Sequence, residues 1–136
     1  MKRIYLDASC LIYLVESSAP FHDAAVKRVL SHRTSADDVV LTSRLSWLEC
    51  RVKPIREKDT ALLATYEKFC STGELEMLEI TPDVIDRATH LRAGHGFKTP
   101  DAIQLATAVL HRADVIITGD KGWPRFRDIP VELVFA

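Results

Sequence analysis

The sequence predicts an α/β fold, a three-layer α/β/α domain in which helices cover both faces of a mostly parallel sheet. Short β-prone runs alternate along the chain with longer segments whose apolar residues recur at helical spacing. In the segment DVIIT at 114–118, four β-branched residues follow one another, which is typical of a strand buried on both faces. Several connections between strands contain two helical segments, so the strand order does not follow from the pattern.

Five short runs predict the strands. RIYLD and VVLT are β-prone, LEMLEI alternates in polarity, DVIIT is branched after its first residue, and VELVF is expected to lie at an edge of the sheet. The predicted strands cover 3–7, 39–42, 75–80, 114–118 and 131–135.

The remaining segments predict helices, and the residues at their ends fit helix starts and stops. Ser9 can cap nearby amides in the first helix, Pro20 lies in the first turn of the second, and Pro54 ends or kinks the third. A glycine follows the fourth and the fifth, and a Thr-Pro pair starts each of the last two. The predicted helices cover 8–16, 20–33, 43–53, 58–71, 81–93 and a last stretch from Thr99.

Length and composition fit a single globular domain, 1–136. A chain of 136 residues can bury a sizeable core, and 47% of its residues are hydrophobic and 27% charged. No apolar run approaches the ~20 residues that a membrane helix needs, so no membrane partner is expected. The net charge of -1 does not by itself indicate nucleic-acid binding, so such a partner has to be inferred from a local site.

Cysteine and histidine usage narrows the chemistry further. The three cysteines are odd in number and lack CxxC spacing, which indicates buried thiols in a reducing compartment and predicts a cytoplasmic protein. The five histidines form no HxH or HExxH pattern, and the chain contains no P-loop or GxGxxG motif. Zinc chemistry therefore has little support, and neither motif indicates nucleotide binding.

Three acidic residues are expected at one edge of the sheet. In an open parallel sheet, ligands bind beyond the carboxyl ends of the strands. Asp7 ends the first predicted strand and Asp120 follows the 114–118 strand, so both lie at that edge. The helix from Thr99 has to end where that strand begins, so its first turn, which contains Asp101, returns to the same edge.

Glu49 is the fourth acidic candidate. Leu45, Leu48, Glu49 and Val52 fall at i, i+3, i+4 and i+7, which predicts a carboxylate on the buried stripe of the third helix. At ~1.5 Å per residue from Ser43, Glu49 lies about 9 Å from the helix start, within reach of a pocket at the carboxyl edge.

Four clustered carboxylates require compensation. Two like charges 4 Å apart repel by about 4 kcal/mol at an effective dielectric constant of about 20, so protons or cations must enter. Oxygen ligands suit Mg²⁺ or Mn²⁺, and the chemistry implied is metal-assisted phosphoryl transfer.

Each acid also has a purely structural interpretation. Asp7 fits a helix-entry residue, Asp101 an acid favoured by the helix dipole, Asp120 a turn residue before Gly122, and Glu49 a residue at the rim of a stripe. Placement of all four at one edge is harder to obtain from independent capping, and it favours a shared site.

Several motifs resemble those of a known family. The segments YLDAS, SWLEC, KTPDAIQLATA and ITGD are similar to the successive acidic motifs of PIN-domain ribonucleases, and most similar to those of VapC-type toxins of toxin-antitoxin pairs. The resemblance extends over the whole chain in motif order. It implies a PIN-like fold and an Mg²⁺- or Mn²⁺-dependent endoribonuclease in which Asp7, Glu49, Asp101 and Asp120 occupy the acidic positions.

The resemblance also implies neighbouring residues and partners. Ser9 and Thr118 match polar positions that bind water or brace a carboxylate. VapC-type relatives pair as homodimers and are silenced by a VapB-type antitoxin that covers the site. The chain departs from the pattern at Gly122, where many relatives carry a further Asp, and this puts a second metal ion in question; Asp128 is not expected to replace it.

Basic and aromatic residues near the last two acids suggest RNA contacts. Trp123 is either a base-stacking residue or, as for most tryptophans, part of the core. For each basic residue taken alone, a solvated surface charge is the favoured interpretation. The basic candidates are Lys98, Lys121, Arg125 and Arg127.

Two other functions remain open on the sequence. One is a phosphatase of the haloacid-dehalogenase type, which also carries an Asp after its first strand but needs a second Asp two residues later, where this chain has Ser9. The other is a PIN-like module that binds RNA or protein without catalysis. The presence of all four acids argues against this function, whereas the lack of a further acid at Gly122 leaves it open.

Overall fold

The computed structural model describes residues 1–135 and contains a five-stranded sheet, six α-helices and one short 3-10 turn. The strands are β1 (Arg3–Leu6), β2 (Val39–Ser43), β3 (Leu75–Leu78), β4 (Val115–Thr118) and β5 (Val131–Leu133). The helices are α1 (Ala8–Val15), α2 (Phe21–His32), α3 (Arg44–Arg56), α4 (Thr60–Ser71), α5 (Pro82–His95) and α6 (Thr99–Leu110), and the 3-10 turn is Trp123–Arg125. Every strand pair is parallel, which confirms the predicted fold class.

The sheet separates two hydrophobic cores because successive side chains along each strand point to opposite faces. Tyr5, Leu41 and Ile116 pack on one face with residues of α5 and α6. Ile4 and Ile117 pack on the other face with residues of α1 and α4. All four residues of β4 are buried, as its run of branched side chains predicts.

The strand order is β3-β2-β1-β4-β5. The chain builds outward from β1 to β2 and β3, then returns to the other side of β1 for β4 and β5. The connection that follows β1 therefore leads toward one edge of the sheet, and the connection that follows β4 leads toward the other. Because the two diverge, a crevice forms at the carboxyl ends of β1 and β4. In such sheets this crevice is where ligands bind.

Helix α3 differs from its prediction in two respects. It continues to Arg56 instead of ending near Lys53, because Pro54 lies in the last turn and the helical bond from the Glu57 amide to the Lys53 carbonyl, 2.9 Å, still forms. Its buried face is Ser46, Cys50 and Pro54.

The predicted buried stripe of α3 is also wrong. Leu48 is 54% exposed and Val52 46%, and Glu49 is exposed beside them. Small residues, which contribute little to a hydrophobic pattern, allow α3 to pack closely on its other face against α1 and α4.

Helix ends follow the predicted signals with local differences. Asp7, and not Ser9, is the N-cap of α1, and its carboxylate accepts a hydrogen bond from the Cys10 amide. Thr81 caps α5 as its Thr-Pro pair predicts. The second pair is shifted by one residue, so α6 has Lys98 as its N-cap and no side-chain capping bond. Within residues 1–135, no helix combines the length and apolarity of a membrane span.

Candidate active site

All four predicted acids line one cavity at the carboxyl edge of the sheet. Asp7 directly follows β1, Asp120 lies two residues after β4, Asp101 is in the first turn of α6, and Glu49 projects from α3. The cavity has a volume of about 320 Å³. Its lining comprises Asp7, Ala8, Ser9, Ile12, Glu49, Asp101, Gln104, Asp120 and Trp123.

Asp7 is the most rigidly held of these acids. Its side chain is buried, and Oδ1 accepts hydrogen bonds from Ser9 Oγ at 2.7 Å and from the Cys10 amide at 3.0 Å. Oδ2 accepts a third from Thr118 Oγ1 at 2.7 Å. Burial raises the pKa of Asp7 to about 6, although these hydrogen bonds act in the opposite direction.

The two hydroxyl groups that contact Asp7 also join β1 to the end of β4. Ser9 Oγ accepts a hydrogen bond from the Gly119 amide at 2.9 Å, and Thr118 Oγ1 accepts one from the Asp120 amide at 3.0 Å. Each hydroxyl therefore donates to Asp7 and accepts from the segment that carries Asp120. These contacts place Ser9 and Thr118 where they brace a carboxylate.

Glu49 reaches the cavity from the exposed side of α3. Its Oε1 accepts a hydrogen bond of 3.1 Å from Gln104 Nε2. Partial desolvation raises the pKa of Glu49, the Gln104 bond lowers it, and the charge of Asp101 raises it. Glu49 is thus close to a second carboxylate despite being open to solvent.

Asp101 lies close to Asp120 and to the indole of Trp123. Desolvation and then the charge of Asp120 raise the pKa of Asp101, while the Trp123 N–H, Lys98 and Arg125 lower it. Trp123 is only 2% exposed, and its Nε1 lacks a hydrogen-bond partner of normal geometry among the described residues. The indole N–H is consequently a buried donor on a residue that lines the cavity.

Asp120 is exposed and is held by the loop that follows it. Its Oδ1 accepts a hydrogen bond from the Gly122 amide at 2.8 Å. A Cβ atom at position 122 would lie 3.2 Å from the same oxygen. At the position where the family resemblance implies a further acid, this chain has a backbone N–H that donates to Asp120.

The cavity has the donor set of a hard divalent cation. Its four carboxylates supply only oxygen ligands, which suit Mg²⁺ or Mn²⁺. In the part of the chain that the structure describes, none of the four forms a salt bridge with a lysine, arginine or histidine. Across residues 1–135, no three acidic, histidine or cysteine side chains are close enough together to form a ready metal-binding group. The acids therefore surround the cavity without converging on one point.

The basic candidates lie outside the lining of the cavity, although the charges of Lys98 and Arg125 act on Asp101. Lys98, Lys121 and Arg127 are exposed. Arg125 is also exposed, yet its guanidinium stacks on the Phe97 ring at 3.7 Å and donates to the His95 carbonyl at 2.6 Å. The burial of Trp123 makes it a core residue, so the alternative of base stacking on its ring is wrong.

Gln104 is the polar lining residue that the sequence analysis did not single out. It is buried, and it occupies the position three residues after Asp101, on the same side of α6. The sequence did contain a signal for it: an amide lies at i+3 from a candidate ligand, within the apolar pattern of a buried helix.

A larger cavity of about 380 Å³ lies elsewhere, against α2 and the residue after β5. It is lined by Ala24, Lys27, Arg28, Ser31 and Val134. Without a carboxylate in its wall, it does not offer the oxygen ligands found at the carboxyl edge.

Comparisons with known proteins agree with this architecture. The family model described as "PIN domain" matches residues 4–129. A sequence comparison with curated proteins finds no match. Among solved structures, a toxin-antitoxin complex from Klebsiella pneumoniae is 25% identical, with a TM-score of 0.70, over 97% of this chain and 98% of that one.

Two further structures are more distant in sequence. VapBC2 from Rickettsia felis, bound to a DNA fragment from its promoter, is 13% identical with a TM-score of 0.78, over 96% of this chain and 98% of that one. VapC20 from Mycobacterium tuberculosis, a toxin that cleaves the sarcin-ricin loop, is 17% identical with a TM-score of 0.73, over 93% of this chain and 98% of that one. At these identities the similarity concerns the fold.

Proposed function

The chain belongs to the PIN domain family, and from this premise we propose that it is a divalent-metal-dependent endoribonuclease that acts as the toxin of a VapBC-type toxin-antitoxin pair. The observation that carries the proposal is the cavity at the carboxyl edge, which is lined by four carboxylates that form no salt bridge among the described residues. Such a site in a nuclease family fits hydrolysis of a phosphodiester bond.

In the proposed reaction, Asp7, Glu49, Asp101 and Asp120 hold Mg²⁺ or Mn²⁺. When bound, the cation stabilises the charge that develops on the phosphate and lowers the pKa of the attacking water. Asp7 has a fixed orientation, because Ser9 and Thr118 hold both of its oxygens. Glu49 and Asp120 are exposed and Asp101 is half-buried, and one of these carboxylates would accept the proton of that water.

The proposed substrate is RNA, in the cytoplasm. Of the similar structures, VapC20 is a toxin that cleaves an RNA loop, which supports single-stranded or looped RNA as the first substrate to test. Lys98 and Lys121 are exposed near the cavity and are proposed to contact phosphates. For Arg125 and Arg127 the same role is proposed, although the guanidinium of Arg125 is already engaged with Phe97 and His95.

The proposed partners are a VapB-type antitoxin and a second copy of the chain. The similar structures include toxin-antitoxin complexes, one of them bound to promoter DNA. A basic side chain of an antitoxin would complement the carboxylate cavity electrostatically. The expected assembly in the absence of antitoxin is a homodimer, which light scattering after gel filtration would detect.

The test is cleavage of labelled single-stranded and hairpin RNA by protein purified free of antitoxin. Cleavage with Mg²⁺ or Mn²⁺ is expected, and EDTA or Asp7→Asn is expected to abolish it. Asp128→Asn is the matched control, since it removes one exposed carboxylate outside the cavity and should leave cleavage unchanged. Cleavage that persists unchanged in Asp7→Asn would refute the assignment.

A non-catalytic PIN-like module is the second candidate, and Gly122 in place of an acid favours it. That function predicts RNA or protein binding without cleavage under any metal tested. A phosphatase is less compatible with the site, because Ser9 occupies the position of the second Asp and its hydroxyl donates to Asp7.

A further inference from the structure

Glu49 has little on its own helix to hold it. It lies on the exposed side of α3, while the residues of α3 that pack inward are Ser46, Cys50 and Pro54. A glutamate in such a position has several rotamers, and most of them point into water. Among the described residues, its carboxylate accepts a hydrogen bond from Gln104.

Both the oxygen and the nitrogen of the Gln104 side-chain amide form hydrogen bonds. It is 2% exposed, and its Oε1 accepts a hydrogen bond from the hydroxyl of Tyr5 on β1. Its Nε2 donates to Ser46 Oγ at 2.9 Å and to Glu49 Oε1 at 3.1 Å. Both N–H groups of the amide are therefore used, one within the core and one at the cavity.

The orientation of this amide follows from its partners. A carboxylate only accepts hydrogen bonds, so the nitrogen and not the oxygen of Gln104 must face Glu49. On the far side, Ser46 Oγ forms a further hydrogen bond of 2.9 Å with Thr42 Oγ1 on β2. A chain of polar contacts thus runs from the central strands to the carboxylate of Glu49.

Packing alone does not explain a glutamine at this position. Its neighbours on α6 include Ala102, Leu105 and Ala108, all fully buried, and an apolar side chain would fill the same space without the cost of burying an amide. The amide satisfies its polar groups inside the core and extends one donor into the cavity.

We propose that Gln104 is a positioning residue, which holds Glu49 in the conformer that faces the cavity and so prepares it as a ligand of the divalent cation. This inference rests on the proposed function, because it takes Glu49 as a metal ligand. Gln104 acts through Glu49 and contacts neither the cation nor the RNA.

The test is a double-mutant cycle read by Mn²⁺ binding in calorimetry at neutral pH, with RNA cleavage measured in parallel. Gln104→Met keeps the side-chain length and removes both amide donors. It is expected to weaken Mn²⁺ binding about tenfold or more, as loss of a group that orients a metal ligand does. In a Glu49→Gln background, the same change is expected to have no further effect on Mn²⁺ affinity.

Tyr5→Phe is the matched control. It removes the hydroxyl from the same buried network but leaves the bond between Gln104 and Glu49 in place. It is expected to lower the midpoint of urea unfolding while Mn²⁺ affinity stays within about twofold of wild type. If Gln104→Met does not fold, Gln104→Asn provides the second variant, because its shorter amide remains polar but withdraws from Glu49.

The outcomes separate the inference from the function on which it rests. Wild-type protein that neither binds Mn²⁺ nor cleaves RNA would overturn the proposed function. Wild-type protein that binds Mn²⁺, together with a folded Gln104 variant of equal affinity, would overturn the inference alone. Additive weakening in the Glu49→Gln background would also overturn it, because Gln104 would then act independently of Glu49.

Discussion

Asp7→Asn is expected to stabilise the metal-free protein at neutral pH while removing a proposed metal ligand. Burial raises the pKa of Asp7 from its ordinary value of 3.8 to about 6. The folded state therefore binds a proton more tightly than the unfolded state does. The stability that this bound proton contributes is fully present below pH 3.8 and is lost as the pH rises through about 6.

The size of the effect follows from these two pKa values. A tenfold change in proton affinity corresponds to about 1.4 kcal/mol, so ionisation of Asp7 lowers the free energy of unfolding by about 3 kcal/mol above neutral pH. Asparagine is neutral at every pH, and its oxygen can accept the bonds from Ser9 and the Cys10 amide. Its amide group can donate to Thr118 Oγ1 in place of the bond that Asp7 accepts.

The assay is urea unfolding of wild type and Asp7→Asn in EDTA, at several pH values between 4 and 8. The variant's advantage is expected to grow with pH, by up to about 3 kcal/mol between the two ends of this range. Asp128→Asn controls for the loss of one carboxylate charge. A difference between wild type and Asp7→Asn that stays constant within about 0.5 kcal/mol across the range would refute the reasoning.

Three further changes have defined outcomes. In Gly119→Ala, the new Cβ would lie 2.6 Å from the Tyr13 hydroxyl, so thermal unfolding should show a loss of about 1 kcal/mol or more that Tyr13→Ala relieves. Trp123→Phe removes a buried N–H that lacks a hydrogen-bond partner of normal geometry. Urea unfolding should therefore show a decrease in the free energy of unfolding no larger than the smaller ring explains, and a decrease above about 2 kcal/mol would contradict this. Gly122→Asp adds a carboxylate beside Asp120 Oδ1, and calorimetry should show tighter Mn²⁺ binding together with a lower unfolding free energy in EDTA. Unchanged Mn²⁺ affinity in this variant would show that position 122 does not reach the site.

The parts of the fold that depend on local sequence were predictable. The branched residues of β4 indicated a strand buried on both faces, and Thr81 before Pro82 indicated the start of α5. The strand order was not predictable, because it depends on pairing between segments such as β1 and β4 that are far apart in the chain. Local propensity carries no information about such partners.

Glu49 shows how a correct placement can follow from an incorrect reason. The spacing of Leu45, Leu48 and Val52 resembles a buried stripe, yet α3 packs through Ser46 and Cys50 instead. Helical periodicity identifies a face with apolar residues, but it does not decide which face of a short helix has neighbours. Glu49 lines the cavity because of the position of α3 beside the crevice.

The support of the acids was less predictable than the acids themselves. Ser9 and Thr118 contact Asp7 from 2 and 111 positions away in the chain and were expected only from the family resemblance. Gln104 contacts Glu49 from 55 positions away and was not expected at all. An acidic residue after a strand has a recognisable pattern, whereas the partner that orients it is defined only by the folded sheet.

The distance along the chain between the two central strands has a consequence for synthesis. Asp7 and the Thr118 hydroxyl that holds it are 111 residues apart. At 5–20 residues per second, a ribosome needs roughly 5 to 20 seconds to add the intervening segment, and during that time β1 lacks one of its two neighbours. No nascent chain that stops before Asp120 contains the complete cavity. If this protein cuts RNA as proposed, the ribosome has to pass the codon for Asp120 before that activity can begin.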